Sequence, residues 1–110
     1  MNDAELEICG ELTKVVGKKL SDLVQSELLS KTPDIPFAHK AAAVETAVLL
    51  ALSNLMCTKF TVERRFNPGA DQEAFERKYA EQLLKQFRLT MESVSKDPNY
   101  HRLLDKVLKR

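Results

Sequence analysis

The sequence predicts an all-α protein: an antiparallel helical bundle of three long helices plus a short C-terminal helix, in a single domain spanning 1–110. Three observations predict it. The prolines fall at three places only, Pro33 with Pro36, Pro68 and Pro98. Each interrupts a helical pattern, because proline removes a donor and restricts the residue before it. Between those breaks, apolar residues recur at three- and four-residue steps. No window alternates apolar and polar residues as a half-buried strand does. Connections as short as these join antiparallel neighbours.

The first helix is expected near 3–31. Asn2 suits the N-cap, and Glu5 three residues on resembles a capping box. Cys9, Val16, Leu20 and Leu23 form one apolar stripe, and Ile8, Leu12 and Val15 form a second patch on another side. Gly10, Gly17 and Ser21 make a seam of small residues beside the first stripe. A glycine inside a helix costs roughly 1 kcal/mol relative to alanine. Either another helix approaches closely there and offsets that cost, or the glycines are simply tolerated on an exposed surface.

Thr32-Pro33-Asp34-Ile35-Pro36 ends that helix, and Pro36 suits the first turn of a second, expected near 37–65. This one governs the architecture. Between Lys40 and Lys59 it carries a single charge, Glu45, in a chain that is 30% charged. It is rich in Ala and Leu and free of Gly and Pro, so it forms readily and is apolar on most sides. Such a helix has to be surrounded. Its greasier side is Val44, Val48, Leu52, Leu55 and Val62. His39, Thr46 and Ser53 recur every seven residues on another side, with Asn54 and Thr61 nearby. On so apolar a helix, Thr46, Ser53 and Asn54 are expected to be buried polar contacts in need of hydrogen-bond partners. Thr46 and Ser53 can bond the carbonyl four residues back. Asn54 does this less easily, and either fixes register at a helix contact or lines a ligand pocket. Glu45 is either a buried base or part of one wetted meridian shared with Lys59 and Glu63, and the shared meridian favours the second reading.

Asn67-Pro68-Gly69 reads as a turn, and Asp71 as the cap of a third helix near 71–96 with Glu73 in its first turn. Phe75, Tyr79, Leu83, Phe87, Met91 and Val94 lie along one stripe, opposite a charged side that includes Glu76, Lys85 and Glu92. Aromatic residues at this spacing read as core rather than as a ligand cage. Asp97-Pro98 restarts the chain as a cap followed by proline at the first helical position. The fourth helix, near 98–108, is expected to dock through Tyr100, Leu103, Leu104, Val107 and Leu108. Arg102, Lys106, Lys109 and Arg110 then face outward.

The chemistry offered by these residues is thin. Cys9 and Cys57 are far apart, form no Cys-x-x-Cys pair, and read as two reduced, buried thiols. His39 and His101 have no metal-ligand spacing, so neither metal nor cofactor is expected. No nucleophile-base arrangement is legible. His39-Lys40 near a helix start invites comparison with a phosphotransfer histidine, but the flanking residues carry no such signature. The N-terminus is acidic and lacks the basic start and apolar core of a signal peptide, so a cytoplasmic protein is expected. A spanning helix needs about 20 predominantly apolar residues. The uncharged stretch here is Thr46 to Thr58, so no membrane partner is expected.

The formal net charge of +1 points to no particular partner. Its distribution is uneven, with four basic residues against Asp105 alone in 98–110. A monomer would leave much of helices 1 and 2 uncovered, and soluble monomers rarely do so. A homodimer through helix 1 or helix 2 resolves this. The reading that results is a non-enzymatic interaction protein, an oligomeric adaptor, regulator or inhibitor of a protein partner. The alternative is a nucleic-acid-binding accessory protein using Arg64, Arg65 and the basic tail, although phosphate contacts call for larger clusters of Lys and Arg. An enzyme or small-ligand binder with a pocket beside Asn54 and Thr46 is a third, smaller possibility.

Overall fold

Each helix begins where a local signal places it. The structure, a computed structural model, describes residues 1–29 and 35–108. It contains α1 (Asp3–Leu29), α2 (Phe37–Phe66), α3 (Gln72–Ser95) and α4 (Pro98–Leu108), with no strand among the described residues. The all-α class and the order of three long helices and a short one are as expected. The expected end of the first helix, at residue 31, and the break at Thr32 and Pro33 lie outside the described residues.

The caps explain the starts. The Asn2 Oδ1 accepts the backbone N–H of Glu5 at 2.8 Å, and the Asn2 amide donates to the Glu5 carboxylate at 3.3 Å. This is a capping box whose return bond comes from the side-chain amide rather than the backbone. Pro36 sits one place earlier than expected. Its carbonyl accepts from the N–H groups of His39 at 3.0 Å and Lys40 at 3.1 Å, so it occupies the cap and not the first turn. Asn67 to Ala70 close a turn through the Asn67 carbonyl at 3.0 Å. The Asn67 side chain takes the N–H of Gly69 at 3.2 Å. Asp71, in extended backbone, then accepts from the Glu73 N–H at 3.1 Å. Asp97 accepts from Asn99 at 3.0 Å and Tyr100 at 3.4 Å, which starts α4 with Pro98 at its first position.

By internal contacts the chain divides into two units, residues 1–46 and 47–110, with the boundary inside α2. In the first unit, shielding gathers at Val24, Leu28 and Leu29 near the end of α1 and at Phe37, Lys40, Ala41 and Val44 near the start of α2. All of these are half-buried. The rest of α1 is exposed, including both of its apolar patches.

In the second unit α2 and α3 run antiparallel across the Asn67–Asp71 turn. The rings of Phe60 and Phe75 lie 4.9 Å apart, and Phe75 lies 4.8 Å from Tyr79. Lys59 Nζ sits 5.4 Å over the Tyr79 ring. Offset aromatic contacts of this kind add about 0.5–1.5 kcal/mol to the area they bury. α4 packs against α3, with Val94, Leu103, Leu104 and Val107 half-buried. A His101 ring nitrogen lies 3.3 Å from the Ser95 carbonyl. Of the apolar residues expected to dock α4, Tyr100 and Leu108 stay exposed.

No described residue is fully buried. This changes several expectations. The α3 stripe is shielded only at its two ends, by Phe75, Tyr79 and Val94, while Leu83, Phe87 and Met91 in between are exposed. On α2 the shielded side is Leu52, Met56 and Phe60, whereas Leu55 and Val62 of the greasier side are exposed. Cys9 and Cys57 are free thiols on the surface, not buried ones. The physical reason is common to all of them: periodicity puts residues on one face, but it does not supply an element to cover that face.

Candidate interaction surfaces

A concave surface lies inside the second unit, between α2 and α3. Close to the turn the two helices are joined by the Phe60–Phe75 contact. Farther along they leave a cleft of about 670 Å³ lined by Leu49, Leu52, Met56, Phe60, Phe75 and Leu83. Ser53, Cys57 and Thr61 form a ridge of small side chains along its α2 wall. Arg64 on α2 and Glu76 on α3 stand at its rim. The spacing 49, 52, 56, 60 on α2 follows helical steps of three and four, so this wall was present in the sequence. Of the expected greasier side, Val44, Val48, Leu52, Leu55 and Val62, only Leu52 lines the cleft, and Met56 and Phe60, which are not part of that side, line it as well. A smaller depression of about 330 Å³ lies around Lys59, Glu63, Asp71, Lys78 and Tyr79.

The polar residues of α2 fall as follows. Thr46 donates its hydroxyl to the Ala42 carbonyl at 2.9 Å, the back-bond expected of it, and Thr58 does the same to Asn54 at 3.0 Å. Thr46, Ser53 and Asn54 are all exposed within the single chain, so the buried polar contact expected there is not made within it. Ser53 is drawn into the cleft wall, and Thr46 and Asn54 are not among the residues lining it. Glu45, Lys59 and Glu63 are exposed, consistent with a wetted meridian.

The basic residues are scattered. Arg64 and Arg65 occupy the last turn of α2, and both are exposed. The Arg64 guanidinium lies 4.9 Å from the Phe60 ring centroid, a pairing that the four-residue spacing already allows. On α4 the Arg102 guanidinium donates to the Asn99 side chain at 2.9 Å and to the Pro98 carbonyl at 3.4 Å. Lys106 is exposed. Lys109 and Arg110 lie outside the described residues. The surface ion pairs Lys14–Glu11 and Lys96–Glu92, each at 3.7 Å, are solvated and local to one helix. Among the described residues no group of three or more His, Cys, Asp and Glu side chains could hold a metal ion.

α2 is also long and apolar enough to cross a membrane, by length and composition alone. At 1.5 Å per residue its 30 residues span about 45 Å. The uncharged run within it is Thr46 to Thr58, with Lys40 and Glu45 before it and Lys59, Glu63, Arg64 and Arg65 after it. Glu45, Thr46, Ser53 and Asn54 count against a span.

Comparison with family models, with curated proteins and with solved structures finds no match for this chain.

Proposed function

We propose that this chain is a non-enzymatic interaction protein, an oligomeric helical adaptor or regulator whose core is completed by association. One observation carries the reading: no described residue is fully buried, although α1, α2 and α3 each present apolar side chains along most of their length. Two separate compact bodies sharing this mass would expose about 7,400 Å² of surface. The chain exposes 9636 Å². Large apolar side chains are exposed along α1, α2 and α3, and contiguous exposed apolar surface marks an interaction site. The walls of the α2–α3 cleft are aliphatic and aromatic, which suits packing against another helix.

The nucleic-acid reading draws less support. Arg64 rests on Phe60 and Arg102 is occupied by its own helix, so neither is presented as part of a phosphate-binding row. Sedimentation velocity over a wide concentration range, with mass spectrometry of co-purifying species, tests the proposal. An association equilibrium, or a stoichiometric protein partner, is expected. A monomer at high micromolar concentration that melts cooperatively at a temperature independent of dilution would falsify it.

A further inference from the structure

We draw no further inference here: the strongest candidate, the apolar cleft between α2 and α3 lined by Leu49, Leu52, Met56, Phe60, Phe75 and Leu83, is an unpartnered face, and nothing in the structure shows what covers it.

Discussion

α1 and the α2–α3 hairpin are built from similar material but end differently. α1 has 27 residues, a well-formed cap and two apolar patches, yet its shielded residues are confined to its last turns. The hairpin has a turn of a few residues, and beside it Phe60, Phe75 and Tyr79 are in ring contact. A short connection makes the neighbouring ends of two helices meet at little entropic cost. Distance from the turn removes that advantage, and Leu49 and Leu83 on the same two helices already stand apart across a cleft. Local signals suffice to make a helix, but covering one takes a neighbour of matching length.

The sharpest way to break this contrast is Leu52→Asp. Leu52 is half-buried on the cleft wall, and an unpaired carboxylate in a closed interface costs several kcal/mol. Sedimentation should show monomer only, and circular dichroism a loss of cooperative melting. Retention of both would mean that the cleft faces water. Phe60→Ala tests the pinned end. It is expected to cost roughly 2–4 kcal/mol, toward the low end because Phe60 is half-buried, and to lower the melting temperature of monomer and assembly alike. The same measurement on Leu83→Ala should affect only the assembly.

How much of this was legible follows from the range of each signal. Asn2 with Glu5, Asp71, and Asp97 with Pro98 act within three or four residues, and the helices start at or beside the places these caps indicate. The turn at Asn67 is equally local. Burial is not local. Periodicity places Leu83 and Phe87 on the face of Phe75, but it does not say that these two stay exposed. Cys9 and Cys57 are exposed against expectation for the same reason, as are Thr46, Ser53 and Asn54. The contact of Lys59 with Tyr79 joins two helices and leaves no trace in either one alone. The stack of Arg64 on Phe60, by contrast, was available from their spacing.

Two smaller changes refine the comparison. Removing 98–110 uncovers Val94 and takes away Leu103, Leu104 and Val107, all half-buried. A loss of roughly 1–2 kcal/mol is expected, visible as a lower melting temperature. Reversing the charges of Arg102, Lys106, Lys109 and Arg110 should stay within about 0.5 kcal/mol, and a pull-down would show whether any partner is lost. An unchanged melting temperature after truncation would show that α4 does not dock. Gly17→Ala asks about α1. A methyl group there meets nothing within 4 Å in the chain alone, so helix propensity predicts a gain of about 1 kcal/mol. A loss of association instead would mean that the glycine seam lies against another helix.

That no described residue is fully buried has a consequence for dosage. If folding is completed only by pairing, the folded fraction depends on how often two chains meet, and dilution acts as a denaturant. A cell making little of this chain would then hold it mostly as open helices, with surfaces that chaperones and proteases recognise. Synthesis above a threshold would rescue it, and the amount of intact protein would rise more steeply than its rate of production. Pulse-chase lifetimes at two expression levels measure this. Equal lifetimes would show that each chain survives unaided.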